Sequence, residues 1–392
     1  MHRAIRVAIA CLTAACLPQD MAVALPPEPA EGLLPWLPRG NDWLATEYVY
    51  TGEVFTNTRG GLDTNEATAY RGNFDLFLTA DLDRLGCPLG GTFFLYAQNG
   101  HGPGISRRYV GDVQVLSNIE DRDLMQVSEY WWYREWLDGR LAVRLGKRDA
   151  NEEFAAVEMG ADFINSSFGL HPTIPMPTFP DPSAAAIVLF RPTDWLAFHV
   201  GVWDGDPYGG NWGFSGEGVT FSIYEMQLHY ELLGTLPGSA HAGLWYHSDR
   251  WENLADAEAA AFDGNHGFHA EMEQMLWREQ PGDEENPQGL GLFAQYAWAP
   301  QDRNEITQYL GGGLLYRGPI PGFDDDLLGI GVAHILLSGA LPELSYETAI
   351  ELFYKAQVSE HIALQPDVQF IANPGGNGRD SLVVGLRFEA VL

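Results

Sequence analysis

Beyond its first two dozen residues the chain has no run of roughly 18 or more apolar residues, the minimum for a helix that crosses a bilayer. What recurs instead is alternation. Segments of about ten residues switch between apolar and polar side chains, with turn residues between them. The missing apolar run excludes a helical membrane protein, and the period of two predicts an all-β chain. In 44–57, Leu44, Tyr48, Tyr50 and Val54 share one face, while Glu47, Thr51 and Glu53 share the other. In 70–80, Tyr70, Phe74, Leu76, Leu78 and Ala80 oppose Arg71, Asn73, Asp75 and Thr79. The pattern returns at 290–298, 350–358, 364–372 and 382–392. Further segments lie at 93–100, 185–191, 196–204, 218–230 and 240–247, with a turn placed at Pro237-Gly238. Weaker ones lie near 264–279, 306–316 and 327–337. The segment 124–137 is aromatic on both faces, so alternation does not orient it.

Counted together these give about sixteen strands, the even number a closed bacterial barrel requires. Half-buried strands of a soluble sandwich alternate as well. Three features favour the barrel. Aromatic residues stand near strand ends, at Trp203 and at Tyr296 and Trp298, where an interfacial girdle would place them. The last alternating segment runs to Leu392. The polar faces carry full charges, at Arg71, Asp75, Arg144, Glu351, Lys355 and Arg387. A dry sandwich core could not hold these without partners, whereas a wide barrel keeps that face wet.

At the N-terminus, His2, Arg3 and Arg6 precede an apolar run over 7–17, and Ala22-Val23-Ala24 supplies small residues for cleavage before Leu25. This predicts a signal peptide over 1–24, followed by a Pro-rich segment at 25–43. Losing Arg3, Arg6 and Asp20 moves the formal charge from −31 to −32. Cys87 then remains as the lone cysteine, so no intramolecular disulfide is expected. Such acidity argues against nucleic acid as a partner, because phosphates need Lys and Arg.

One stretch stands apart. Residues 141–180 read LAVRLGKRDANEEFAAVEMGADFINSSFGLHPTIPMPTFP. A strand with Arg144 on its polar face runs into Lys147, Arg148, Asp149, Glu152 and Glu153, then into a long segment without strand character. An enclosed barrel whose loop folds inward needs this arrangement, and 147–184 is the candidate constriction. This stretch carries the strongest resemblance in the chain. Together with TNEATAYRGNFDLFLTADLDRLG at 64–86, GGTFFLYAQNGHG at 90–102, YVGDVQVLSNIE at 109–120, VWDGDP at 202–207, PDVQFIANPGG at 366–376 and the closing DSLVVGLRFEAVL, it resembles the carbohydrate-selective porin family of the OprB type.

The resemblance implies a transmembrane antiparallel β-barrel of sixteen strands in the outer membrane of a Gram-negative-type cell. It implies passive passage of sugars, in-folded loops, no catalysis and no cofactor. A pore for neutral, polar sugars needs hydrogen-bonding groups of both charges, ring faces, and binding weak enough for release. By parity and position the candidate pore residues are Arg71, Asp75, Arg144, Glu351, Lys355 and Arg387 on strands, and Lys147, Arg148, Asp149, Glu152 and Glu153 at the loop entry. Trp203 and Phe179 are candidate ring faces. Asp204 and Asp206, and the run Asp324, Asp325 and Asp326, are weak calcium candidates. They lack EF-hand spacing and no metal site is assigned. Expected partners are sugars and outer-membrane lipid, with the barrel a monomer or a homotrimer.

The alternative is a secreted or periplasmic all-β carbohydrate-active hydrolase or sugar-binding protein. Many carboxylates and 12 Trp suit it. Glu152 and Glu153, being adjacent, do not form the facing pair that glycoside hydrolysis uses. Neither G-x-S-x-G nor H-E-x-x-H occurs in the chain.

Overall fold

The computed structural model describes residues 33–34, 36–206, 212–256, 258–281 and 286–392. The expected signal peptide and part of the Pro-rich segment lie outside the described residues, as does the end of the 202–207 motif.

The alternating segments form strands whose apolar sides share one surface. In chain order they are β1 Gly40–Asn41, β2 Leu44–Arg59, β3 Thr68–Asp81, β4 Thr92–His101, β5 Leu124–Trp136 and β6 Leu141–Arg148. Then follow β7 Ser183–Thr193, β8 Leu196–Asp204, β9 Thr220–Leu232, β10 Leu236–Trp251, β11 Phe262–Arg278 and β12 Gly289–Trp298. The last five are β13 Ile306–Arg317, β14 Leu327–Leu337, β15 Tyr346–Ser359, β16 Ile362–Ala372 and β17 Ser381–Val391. Each strand from β2 on pairs antiparallel with the next. β17 returns to β2, with Arg387 opposite Glu53 and Val391 opposite Val49. This closes sixteen strands into a barrel without edges. The two-residue β1 adds Gly40 against Ala45 of β2.

The wall is inverted relative to a soluble protein. Val200, Val202, Ile330, Val332, Ile350, Leu352, Val384 and Leu386 are exposed on the outside. Thr51, Glu53, Arg71, Asn73, Asp75, Gln98, Glu351, Gln369 and Arg387 are buried on the inside. Only a lipid-facing outer surface reconciles the two.

Three sequence expectations change. Pro237 and Gly238 lie within β10, opposite Glu231 and Tyr230. The turn is at 233–235, where Leu233 and Gly234 both have positive φ. The aromatic segment of β5 is oriented by an irregularity that sequence alternation could not show. Tyr96 pairs with Glu129 but Ala97 pairs with Val127, so one residue is extra. This bulge turns Glu129, Trp131 and Tyr133 inward, where all three are buried. Trp203 belongs to no girdle. The parity of β8 turns it inward with Ala197, His199 and Gly201, and it is 1% exposed.

The barrel interior is filled by two connections, residues 102–123 between β4 and β5, and residues 149–182 between β6 and β7. The longer one brings its own small core inside. The Phe163 ring centroid lies 4.4 Å from Phe168, 4.9 Å from Phe353 and 5.4 Å from Phe293. Gly331 makes this approach possible, since a Cβ there would meet both Phe163 and Phe168 at 2.7 Å.

Candidate functional site: the inner wall and its in-folded loops

The buried Lys and Arg side chains among the described residues are Arg71, Arg144, Lys147, Arg148, Lys355 and Arg387. They come from β3, β6, β15 and β17, and each is among the sequence candidates. Five are turned inward, and those five hold loop segments or wall carboxylates.

Arg71 works almost wholly through backbone of the shorter loop. It donates to the carbonyls of Gly102 (2.6 Å), Arg122 (2.9 Å) and Ile119 (3.0 Å), and pairs with Asp123 at 3.2 Å. Arg387 joins Glu53 of the neighbouring strand at 2.9 Å and reaches Asn118 Oδ1 at 2.7 Å. Lys355 lies 2.9 Å from Glu389 and 3.0 Å from Asp162 of the longer loop. Arg144 pairs with Glu153. Its guanidinium sits over Trp131 at 4.4 Å from the ring centroid and 5.1 Å from that of Tyr133. Arg148 pairs with Glu129 at 2.7 Å, Glu153 at 3.3 Å and Glu152 at 3.6 Å, and lies 5.3 Å from the Trp131 ring. Guanidinium forks suit such multiple pairing.

Lys147 departs from the expectation. It alternates to the face opposite Arg144 and Arg148, in register with Tyr130. Residues 212–213 cover it: Tyr130 donates to the Trp212 carbonyl and Ala184 N–H to that of Gly213. Its Nζ donates to the Val127 carbonyl at 2.9 Å. It is a residue of the outer side.

The carboxylates divide by partner. Asp75 is buried and accepts from Asn73 and from the Tyr96 hydroxyl, each at 2.7 Å. Glu351 accepts the loop amides of Ile164 (2.7 Å) and Asn165 (2.8 Å). Three wall carboxylates that the sequence reading did not single out act in the same way. Glu347 accepts from Val113 N–H and Gln114 N–H, Glu225 from Ala155 N–H, and Glu273 from Met159 N–H. The alternation of 218–230 already contained the signal for Glu225, and the weak segment 264–279 that for Glu273. Asp149 folds the loop base, accepting from Phe179 N–H, Asn151 N–H and the Thr178 hydroxyl. Burial, then the neighbouring Glu129 charge, pushes its carboxyl up to about 6. Burial also pushes Glu152 up to about 8, against the pull of Arg148. His171, deep in the loop, is held well below its usual value by burial.

Trp203 offers no open ring. Its Nε1 donates to the Arg148 carbonyl at 2.9 Å, and Phe154 packs edge-on at 5.5 Å. Phe179 is half-buried beside Asp149. Asp204 binds the Ser215 amide and hydroxyl at 2.7 and 2.8 Å and the Asp206 amide at 3.1 Å, as a turn-closing carboxylate does. Asp326 binds the Tyr354 hydroxyl and Gln357 N–H, while Asp324 and Asp325 are exposed. Among the described residues, the ligand-type side chains that converge are Glu225, His269 and Glu271. They lie away from the aspartates proposed from sequence.

Residues 65–392 match the family model described as carbohydrate-selective porin, OprB family. Porin B of Pseudomonas aeruginosa is 23% identical, the match covering 87% of this chain and 86% of that protein. The high-pH structure of Pseudomonas putida OprB superposes with a TM-score of 0.81 at 22% identity, covering 89% of this chain and 94% of that one. The low-pH structure of the same protein gives 0.58 at 20% identity, covering 89% and 93%. The alternative of a carbohydrate-active hydrolase or sugar-binding protein is not favoured by this family match. With a closed sixteen-strand barrel, an apolar outer face and a family match over most of its length, the chain belongs to the carbohydrate-selective porin family and is a carbohydrate porin of the Gram-negative outer membrane.

Proposed function

We propose that mono- and small oligosaccharides diffuse passively through a path narrowed by residues 147–184, flanked by the charged pairs where that loop meets the wall. The observation that carries this reading is the partial exposure of those pairs. Glu153 and Glu152 are 11% and 16% exposed beside Arg144 and Arg148, and Asp162 is 24% exposed beside Lys355. A neutral polyol has donors and acceptors on every side. The pairs Arg144–Glu153 and Lys355–Asp162, with Glu152 as a protonated donor beside them, replace its water without favouring either ion, and weak contacts let the sugar leave. Arg144, Glu152, Glu153 and Lys355 are the residues placed on this path. Arg71, Arg148, Asp149, Glu351 and Arg387 shape it by fixing the loops, and Asp75 stays on the wall with Asn73 and Tyr96.

Export through a signal peptide over 1–24, and assembly as monomers or trimers, belong to the same proposal. N-terminal sequencing and sedimentation of the purified protein check these two points. The sugar path is tested by swelling of proteoliposomes in matched osmolar glucose, longer oligosaccharides and amino acids. Fast swelling with sugars that slows with chain length is expected. Equal swelling with sugars and amino acids of one size would remove the selectivity.

A further inference from the structure

The inner wall at β9, β10 and β11 carries buried acid without cations. Glu225 and Glu271 are each 1% exposed, and among the described residues only histidines lie within ion-pair distance of them. A buried carboxylate is tolerated when it is paired or when it binds a metal. Here His269 Nδ1 is 3.0 Å from Glu271 and 3.9 Å from Glu225, and His241 Nδ1 is 3.8 Å from Glu225. Neither ring nitrogen of His241 has a hydrogen-bond partner among the described residues, although its side chain is only 9% exposed.

The strand register builds this cluster. Gly243 of β10 stands opposite Glu225 of β9 and opposite His269 of β11. Having no side chain, it lets the imidazole lie across it; a Cβ there would be 2.0 Å from His269 Nε2. His241, two residues earlier on the same face, stands opposite Glu271. Glu225, His269 and Glu271 therefore converge beside one glycine notch, with His241 next to Glu225. Two neighbours orient the acid: Gln227 Nε2 donates to Glu225 Oε1 at 2.6 Å and Ala155 N–H to Oε2 at 2.8 Å. Each oxygen keeps a second lone pair for another ligand. Such orienting hydrogen bonds are usual around metal-binding carboxylates. His171 Nε2 lies 3.3 Å from Glu271 but accepts a hydrogen bond from Gln295 Nε2 at 3.2 Å, so it stays outside the ligand set.

We propose that Glu225, His241, His269 and Glu271 form a binding site for a first-row divalent metal ion of the zinc type. Zinc held by imidazole nitrogen and carboxylate oxygen at about 2.0–2.2 Å has tetrahedral edges of about 3.3–3.6 Å. The separations of 3.0, 3.8 and 3.9 Å bracket that edge, and the ligand atoms of Glu225, His269 and Glu271 lie within 4.8 Å of one another, so these three close on an ion by side-chain rotation while His241 approaches from the Glu225 side. Two imidazoles select such ions over calcium and magnesium, which take oxygen ligands. The ion neutralises both carboxylates and gives His241 a partner. The acidity of the chain, −31 over 392 residues, raises the local concentration of cations at the barrel.

The test uses the folded full-length protein in detergent, stripped with chelator and titrated with Co²⁺ and Zn²⁺. Folding is checked by heat-dependent gel mobility. About one ion per chain is expected, with the visible absorption of tetrahedral Co²⁺ displaced by Zn²⁺. His241→Ala and Glu271→Gln should weaken binding at least tenfold, and Gly243→Ala should do so by displacing the His269 ring. His266→Ala, at an exposed histidine, should leave it unchanged. Should the variants not fold, X-ray absorption of the zinc-loaded wild type decides: a nitrogen and oxygen shell near 2.0 Å with imidazole scattering is expected. A wild type that binds no ion above the His241→Ala background, or zinc without imidazole ligands, overturns the site.

Discussion

Two arcs of the same barrel wall bury carboxylates by different means. On β5 and β6, Glu129 and the loop residues Glu152 and Glu153 meet the guanidinium groups of Arg144 and Arg148 over the Trp131 ring. On β9 to β11, Glu225, Glu271 and Glu273 meet histidines and loop amides, with no Lys or Arg within ion-pair distance among the described residues. In the first arc the guanidinium groups of Arg144 and Arg148 balance Glu129 and Glu153, with Glu152 held protonated beside them by burial. The second depends on hydrogen bonds and on groups that change state. The same loop, residues 149–182, bridges both, so its position follows from the difference between them.

The sharpest way to break this contrast is Arg148→Ala. It strands Glu129 in a site 5% exposed and removes the partner of two loop carboxylates. Breaking a buried pair from one side costs about 3–5 kcal/mol. Urea unfolding in micelles should show a loss of that size, and a loss below about 1 kcal/mol would mean the arc is not held by charge.

Next in size is Glu351→Ala, which leaves the Ile164 and Asn165 amides without their acceptor. Each buried N–H so stranded costs about 1–3 kcal/mol, enough to free the loop while the barrel stands. Single-channel conductance should rise, and hydrogen exchange at these two amides should accelerate while exchange in β15 stays slow. Unchanged conductance would show that amide capture does not set the loop position.

How far these arcs were legible in the sequence depends on parity. Arg71, Asp75, Arg144, Glu351, Lys355 and Arg387 sit in segments with clean alternation, and all six face inward. The loop at 149–182 could be bounded because its charges follow a strand and its prolines precede one. Alternation could not say what a lumen residue touches: Glu351 meets amides 186 and 187 residues away and Lys355 a carboxylate 193 residues away, all on the in-folded loop. Glu351 reads as a pore charge and is instead a clamp on loop backbone. Where the expectation set parity aside it failed: aromatic character suggested an interface for Trp203, and position at the loop entry suggested the lumen for Lys147, although one step along β6 changes the face. Parity was silent in β5, because the bulge near Ser128 shifts the alternation by one residue. The histidine arc was missed because His241, His269 and Glu271 lie on different strands and share no sequence motif.

Arg144→Ala tests the first arc at the path itself. The substitution removes a guanidinium stacked on Trp131 and leaves Glu153 facing Arg148. Glucose flux into proteoliposomes should change severalfold and the reversal potential should move toward cation selectivity, because one positive charge is lost. If flux and reversal potential both stay as in the wild type, Arg144 does not contribute to the path.

The smallest expected effect separates the arcs by pH. Glu152 is held up at about 8, chiefly by burial, whereas an unfolded glutamate titrates near 4.5. Between these values the folded chain keeps a proton that the unfolded chain has released. The contribution of Glu152 to stability is therefore present at low pH and is lost as pH rises through that window. In the channel the same titration adds one negative charge beside the partly exposed pair of Arg144 and Glu153. Raising pH from 6 to 9 should move the reversal potential toward cation selectivity, with its midpoint near 8. Glu152→Gln should flatten that shift while leaving sugar flux at pH 6 nearly unchanged, since the wild-type residue is neutral there. A shift that persists in Glu152→Gln would place the titrating group elsewhere on the wall. Because the histidine arc has no such fixed cation beside its acids, its variants then become the next to test for the residual titration.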